Sequence, residues 1–257
     1  MSEVVLKTVD DGVALLTLNR PDRLNAWTGE MEDAYFDALE ECAAREDVRA
    51  IVVTGAGRGF CAGADMDDLR AIGAAGPQPR ERRPQTLALT VPKPILAAIN
   101  GPCAGIGLVQ ALMCDLRFAA EGAKLTTAFA RRGLVAEHGI SWILPRLVGP
   151  ARALDLLLSG RVVLAEEAAA LGLVNRALPG DRLLDEALAY ARDLAANCSP
   201  SSMAAMKRQV YADLERGAGE AVAEADRLML DSLRAPDFRE GVQSFVERRA
   251  PQFAALR

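Results

Sequence analysis

Phe60-Cys-Ala-Gly-Ala-Asp65 and Asn100-Gly-Pro-Cys-Ala-Gly-Ile-Gly107 are the stretches whose reading decides this chain. The first follows the apolar, strand-like run Ala50-Ile-Val-Val-Thr54, the second follows Pro94-Ile-Leu-Ala-Ala-Ile99, and each opens a helix-like segment. The first turn of a helix leaves backbone N–H groups without intrahelical partners, and glycine lets another group approach the backbone closely. Two such openings facing one another could hold a single carbonyl oxygen between two N–H donors, which is an oxyanion hole. The chain therefore reads as built to stabilise an enolate-like or tetrahedral oxyanion, with the acid or base beside it still to be found.

Outward from these loops the sequence alternates between strand-like and helix-like segments. Val4–Val9 and Val13–Asn19, separated by Asp10-Asp-Gly12, predict a β-hairpin. Thr28 suits the N-cap of a helix running to about Arg45, Val48–Thr54 reads as a buried strand, and a short helix starts near Asp65. Ala71–Arg83 is rich in Gly, Pro and Arg without periodicity and reads as a loop lying over another part of the molecule. Pro94–Ile99 and Leu116–Ala119 are further strands around a helix ending at Met113, and Ala165–Leu171 (helix) precedes Leu173–Leu178 (strand). This alternation argues for an α/β fold with parallel strands joined by helical crossovers.

From Asp181 the pattern is helical, over roughly Arg182–Ala196, Ser201–Glu215, Ala221–Leu233 and Pro236–Arg248. The expected organisation is a core over 1–196 and a helical region over 197–257, with the boundary near Asn197–Pro200. Val242, Phe245 and Val246 recur at helical spacing. Packing onto the core and burial in a subunit interface are both open to them.

Length and composition narrow the function. The 257 residues suit one large domain, or a core with a smaller unit appended. A net charge of −5 gives no general attraction to nucleic acid or anionic membranes. No apolar run approaches the roughly 20 residues needed to span a bilayer, and Met1-Ser-Glu-Val-Val lacks the basic start of a secretory signal. Cys42, Cys61, Cys103, Cys114 and Cys198 are scattered without a Cys-x-x-Cys pair, and His138 is the only histidine. That excludes a cysteine–histidine zinc site of the usual spacing and points to a reducing, cytoplasmic setting with no metal.

Three nucleotide or hydrolase motifs also fail. Gln110 stands where the third glycine of Gly-x-Gly-x-x-Gly would follow Gly105 and Gly107. No Gly-Lys-Ser/Thr follows Gly55 or Gly57, and no Gly-x-Ser-x-Gly elbow occurs.

Taken together, Asn19-Arg-Pro-Asp-Arg-Leu-Asn-Ala26, Phe60–Asp65, Lys93-Pro-Ile-Leu-Ala-Ala-Ile-Asn-Gly101, Gly105-Ile-Gly107, Cys114-Asp115, Leu158-Ser-Gly160, Ala169-Ala-Leu-Gly-Leu-Val174 and Phe245-Val-Glu-Arg-Arg249 resemble the crotonase (enoyl-CoA hydratase/isomerase) superfamily, in order, from about residue 3 to residue 253. The resemblance implies a crotonase-like spiral of ββα units with a C-terminal helical trimerisation region, assembling as a homotrimer or a hexamer of two trimers. It implies an acyl-coenzyme A substrate, no cofactor beyond that coenzyme A, and an enolate held by two backbone N–H groups. By position these are Ala64 and Ile106, the latter replacing the glycine common there. Arg23 and Leu24 would lie beside the adenine and pantetheine of coenzyme A, with Ala62, Asp65, Met66 and Gly105 joining the contacts. Phe245 and Arg248 would close over the nucleotide, where a guanidinium suits a 3′-phosphate.

The departure from the family lies in the acids. Hydratases of the family place two glutamates at positions that fall here on Val109 and about Phe129, neither of which transfers a proton. Gln110 neighbours Val109 but points about 100° away on a helix. Glu137, in Gly133-Leu-Val-Ala-Glu-His-Gly139, resembles the acidic residue of relatives that move double bonds. It becomes the expected acid/base, with capping of a helix over about Gly139–Leu147 as its structural alternative, while His138 reads as a helix-start or packing residue. Asp65, Asp67 and Asp68 read as caps of the short helix after the first loop. The expectation is an enoyl-CoA hydratase/isomerase-family enzyme, lyase or isomerase, with Glu137 as its sole acid/base. A non-catalytic acyl-CoA binder, and a decarboxylase or thioester hydrolase, are the alternatives.

Overall fold

The predicted hairpin forms where Asp11 and Gly12 both take left-handed backbone (φ 47° and 77°), the geometry that matches strand twist. In this computed structural model, which describes residues 3–76 and 81–256, strands β1 (Val5–Asp10) and β2 (Val13–Leu18) pair antiparallel across that turn. Helix α1 (Gly29–Ala44) starts at Thr28, whose hydroxyl accepts from the Met31 N–H. At its other end the buried Lys93 ammonium donates to the carbonyls of Cys42 and Arg45, meeting the negative end of the helix.

Strand β3 (Ala50–Gly55), wholly buried, feeds the first glycine loop and then α2 (Met66–Ala75). The Asp65 carboxylate accepts from the Asp67 N–H and caps α2 as expected. Residues 71–75 are thus helical rather than loop. Helix α2 buries no residue, so its sequence carries no core-facing stripe to betray it. Residues 77–80 of the expected loop lie outside the described residues.

The chain continues through α3 (Leu87–Thr90), β4 (Ile95–Ile99), β5 (Cys103–Ala104), α4 (Ile106–Met113), β6 (Leu116–Ala120), β7 (Lys124–Thr126), α5 (Ile140–Val148) and α6 (Pro150–Ser159). Then come β8 (Val163–Leu164), α7 (Ala165–Leu171), β9 (Arg176–Leu178) and α8 (Leu183–Asn197). A six-stranded sheet runs β1-β2-β3-β4-β6-β9, parallel from β2 onward. Helix α8 packs on its centre through Leu183, Ala187, Ala191 and Ala195, a four-residue spacing of mostly small side chains that lets helix and sheet approach closely. A second, three-stranded sheet, β5-β7-β8, was not legible in the sequence because its strands are only two or three residues long.

The strand expected over Leu173–Leu178 is shorter than its apolar run. The Leu173 and Val174 N–H groups both donate to the Ala168 carbonyl, wrapping the end of α7 through left-handed Gly172 before β9 begins.

Three helices complete the chain: α9 (Pro200–Asp213), α10 (Ala218–Arg234) and α11 (Pro236–Glu247). Asp115 anchors α9. It accepts from the Ile95 N–H and Lys207 Nζ, each at 2.8 Å, and from the Tyr211 hydroxyl at 3.0 Å. Helix α10 buries none of its residues and α11 buries only Ser244, which leaves Val210, Val222, Met229, Val242, Phe245 and Val246 half or more exposed.

Candidate active site

Two strips of backbone bring the glycine loops together. Residues 24–27 run beside the first loop: the Ala62 N–H donates to Leu24 O, the Trp27 N–H to Gly63 O, and the Asp65 N–H to Trp27 O. Gly63, at φ 107°, breaks the regular alternation of the first loop. Trp27 bonds Gly63 O and the Asp65 N–H, the two groups flanking its parallel bridge partner Ala64, so the Ala64 N–H faces away from that strip.

On that far side lies the second loop. Cys61 and Cys103 pair as parallel bridge partners, with the Cys61 N–H donating to Pro102 O and the Ala104 N–H to Cys61 O. A methyl placed on Gly63 would meet Ala104 O at 3.3 Å, and one on Gly105 would lie 3.9 Å from Gly63 Cα. Gly105 itself adopts φ 50°, ψ −124°, a conformation reserved for glycine, and turns the chain into α4. Its N–H donates to Thr126 O, so Ile106 is left as the first N–H of the helix. Among the described residues, neither the Ala64 nor the Ile106 N–H donates to a backbone carbonyl.

Gly107 sets how close α4 comes to the first loop. A methyl there would stand 2.4 Å from Cys61 O and 2.8 Å from Cys61 Sγ. The thiol is itself buried and pushed up to about 12 by that burial, so it contributes packing rather than a nucleophile.

The remaining sequence-designated residues fall into four groups. Leu24, Ala62, Ala64, Asp65, Met66, Gly105 and Ile106 lie on or beside the paired loops, as does Arg23, whose exposed guanidinium reaches Asp67 at 3.7 Å. The Asp65 carboxylate is occupied by the Asp67 N–H and by Arg20 Nη2 at 2.9 Å, which together hold it below the usual carboxylate range. Val109 and Phe129 are both buried in the apolar core.

Phe245 and Arg248 form a separate set. Phe245 is 86% exposed and lines a groove of about 850 Å³ between α9, α10 and α11, to which neither glycine loop contributes.

Glu137 sits on a loop bent by two successive left-handed residues, His138 (φ 58°) and Gly139 (φ 84°). The N-cap of α5 is Gly139 with no side-chain cap, so the Glu137 carboxylate does not close that helix, and only its carbonyl accepts from the Ile140 N–H. Instead the carboxylate lies 3.6 Å from His138 Nε2 and stays about one-third exposed. Burial, and secondarily the Arg82 charge, hold the His138 imidazole below its ordinary value, which favours the neutral ring. The loop packs on α4, since a methyl at Gly139 would touch Met113 Cε and Thr86 Cγ2, both at 3.4 Å.

Two further side chains belong to this region and were not legible in the sequence. Glu32, 1% exposed on the inner side of α1, accepts from Trp27 Nε1 at 3.2 Å and from Arg82 Nε at 2.8 Å. Glu32 looks like any acid in the first turn of a helix, and Arg82 like any charge in an unpatterned segment. Only the tertiary contact distinguishes them.

Comparison with known proteins accords with this geometry. Residues 8–255 match the profile of the enoyl-CoA hydratase/isomerase family. The chain is 37% identical to a 1,2-epoxyphenylacetyl-CoA isomerase of Escherichia coli over 98% of its own length and 99% of that protein's. It superposes on a probable enoyl-CoA hydratase/isomerase from Mycobacterium abscessus with a TM-score of 0.92 at 34% identity, covering 98% of this chain and 99% of that one. A crystal structure of an enoyl-CoA hydratase from Mycobacterium marinum is 53% identical, with a TM-score of 0.73 over 84% of this chain and 100% of that one. Fold, loop arrangement and sequence agree: the chain belongs to the enoyl-CoA hydratase/isomerase family and has the crotonase fold.

Proposed function

We propose that the chain moves the double bond of an enoyl-CoA thioester, with the enolate oxygen held by the Ala64 and Ile106 N–H groups and Glu137 as the sole acid/base. The observation that carries this reading is the pair of N–H groups on touching loops that donate to no backbone carbonyl among the described residues, with Glu137 on a loop packed against α4, the helix that Ile106 opens. Glu137 takes a proton from the carbon adjoining the double bond, and the electrons move through the double bond onto the thioester oxygen. Two backbone donors aimed at that oxygen stabilise the charge where it develops. The same carboxyl group returns the proton at another carbon of the chain. No bond to oxygen is made, so neither a second carboxylate nor a cofactor beyond the substrate's own coenzyme A is required. The Escherichia coli relative, named a 1,2-epoxyphenylacetyl-CoA isomerase, supports isomerisation of a coenzyme A thioester as the reaction class.

Hydration is the second reading, favoured by relatives named as enoyl-CoA hydratases, among them one from Alternaria alternata. Here Glu137 would orient the water and also deliver its proton.

The rest of the reading concerns binding and assembly. Arg23, Leu24, Ala62, Asp65, Met66 and Gly105 bind the thioester and pantetheine through the strip beside the first loop. Phe245 and Arg248 meet the nucleotide from the helical region 197–257, in the same or a neighbouring subunit. The apolar side chains exposed on α9 to α11 support burial between subunits, as a homotrimer or a hexamer of two trimers. No described helix is long and apolar enough to cross a membrane, and five unpaired cysteines suit a cytoplasmic setting.

Incubation with enoyl-CoAs in heavy water tests the proposal. Isomerisation gives a deuterated product of unchanged skeleton, hydration gives a 3-hydroxyacyl-CoA, and Glu137→Gln should slow either by roughly 100-fold or more. Equal rates for variant and wild type would remove Glu137 from the mechanism. Thioester binding without turnover of any acyl class would mark a non-catalytic binder, and release of free coenzyme A or carbon dioxide would mark a hydrolase or decarboxylase.

A further inference from the structure

Two successive arginines precede α3, and they are bound very differently. Arg83 lies along the outer side of α1, paired with Asp37 at 2.6 Å and Glu40 at 2.9 Å, its guanidinium over the Phe36 ring. Arg82 turns inward. Its Nε donates to Glu32 Oε1 at 2.8 Å and its Nη2 to Glu32 Oε2, a two-pronged grip on a carboxylate that is 1% exposed.

That carboxylate belongs to the oxyanion side of the site. It also accepts from the indole of Trp27, the residue whose backbone clasps the first loop on either side of Ala64. A buried carboxylate requires such partners, so the grip also fixes where Arg82 stands. Arg82 also lies within electrostatic reach of both Glu137 and His138. Four residues on, Thr86 meets the loop at Gly139. One guanidinium thus stands between the support of the first loop and the loop that carries the acid/base.

We infer that Arg82 is a positioning residue for the reaction: docked on Glu32, it holds residues 81–86 against the Glu137–Gly139 loop and presents a fixed positive charge to the Glu137–His138 pair. This rests on the acid/base reading of Glu137 given above. Burial is the larger influence favouring the neutral imidazole and a fixed cation there reinforces it, so that His138 does not compete with substrate as a charged partner of Glu137. Among the described residues, the charged groups facing His138 are Arg82, Glu137 and Glu32, and Arg82 exerts the largest effect of the three.

The single histidine makes this measurable, because its Cε1–H proton gives one titrating NMR signal without assignment. Arg82→Gln should move the His138 midpoint upward, and Arg82→Lys should bring it part of the way back. With the acyl-CoA that wild type converts, kcat of Arg82→Gln should fall roughly tenfold or more while KM changes little. Arg82→Gln removes a cationic partner of the buried Glu32 carboxylate, so Glu32→Gln/Arg82→Gln is measured beside it as a variant with neither charge. Its midpoint should still rise, since Arg82 outweighs Glu32 at the imidazole. A folded variant whose His138 midpoint coincides with that of wild type, or whose kcat is unaltered, overturns the inference. Absence of wild-type turnover on every thioester is a distinct result: it refutes the acid/base reading itself, and the positioning role falls with it.

Discussion

Gly107→Ala tests the physical basis of the site most directly. The added methyl would stand 2.4 Å from Cys61 O, 2.7 Å from Cys61 Cβ and 2.8 Å from Cys61 Sγ. Carbon and carbonyl oxygen ordinarily meet at roughly 3.3 Å, so about 0.9 Å of movement must be found. The nearest of the three is a backbone oxygen, and Cβ is fixed by the backbone too, so turning the Cys61 side chain moves only Sγ. The carbonyl accepts from the Ala104 N–H, and Cys61 is bridged to Cys103, so either α4 or the first loop must shift as a body. Overpacking of this kind costs about 1–3 kcal/mol, or a fall of several degrees in Tm for a chain of this size. Because Cys61 precedes Ala64 by three residues and Gly107 follows Ile106 directly, the same movement separates the two N–H donors. Loss of one donor from such a site lowers kcat roughly 100- to 1,000-fold. Denaturant unfolding and kcat on the converted thioester measure both effects. Gly73→Ala is the control: it sits in exposed α2 with nothing within 4 Å of the new methyl, and should stabilise by about 0.5–1 kcal/mol. If Gly107→Ala unfolds at the wild-type midpoint with an unchanged slope, the close approach of α4 to the first loop is not as described.

Two further outcomes follow from buried charge. Lys207→Met leaves Asp115 with the Ile95 N–H and Tyr211 hydroxyl but no cation, and should cost about 3 kcal/mol, with protease cleavage appearing first in α9. Asp65→Asn tests the acid side of the stability curve. The Asp65 carboxylate is held below its ordinary value by the Asp67 N–H and Arg20, so between the two values the unfolded chain binds more protons than the folded one. Its contribution is complete above the ordinary aspartate value of about 4 and is lost as pH falls through the lowered one. The wild type should therefore exceed Asp65→Asn by about 1 kcal/mol near pH 6, narrowing toward pH 3 in urea titrations. A gap that widens on acidification would reverse the sign of the coupling.

What was legible in the sequence is what local chemistry determines. The turn at Asp11-Gly12, the caps at Thr28 and Asp65 and the buried strands β3 and β4 each state their conformation within a few residues. The shortened β9 and the helical 71–75 stretch were not legible. In the first a helix end captures the N–H groups that a strand would use, and in the second an exposed helix shows no apolar stripe. Asp115 marks another limit. The Cys114-Asp115 pair served as a sign of kinship, yet the carboxylate anchors Lys207 and Tyr211 of α9 and touches no glycine loop.

The site divides along the same line. The oxyanion donors proposed above are backbone groups, so their side chains are free to change: Ala64 is exposed, and Ile106 carries a bulky side chain on the residue that opens α4. What cannot change is the set of residues that lets the two backbones meet, chiefly Gly105 and Gly107, and these are what the sequence displays most plainly. The proposed acid/base, by contrast, is a side chain, and a side chain can enter from any loop that reaches the pocket. With Val109 and Phe129 packed in the apolar core, the proposed mechanism shifts the burden to a loop shaped by His138 and Gly139 and flanked by an Arg82–Glu32 pair contributed by distant segments. Under that mechanism a backbone hole would persist through sequence change that reassigns the reaction, because reaction type would depend on which carboxylate the tertiary structure carries to the glycine loops.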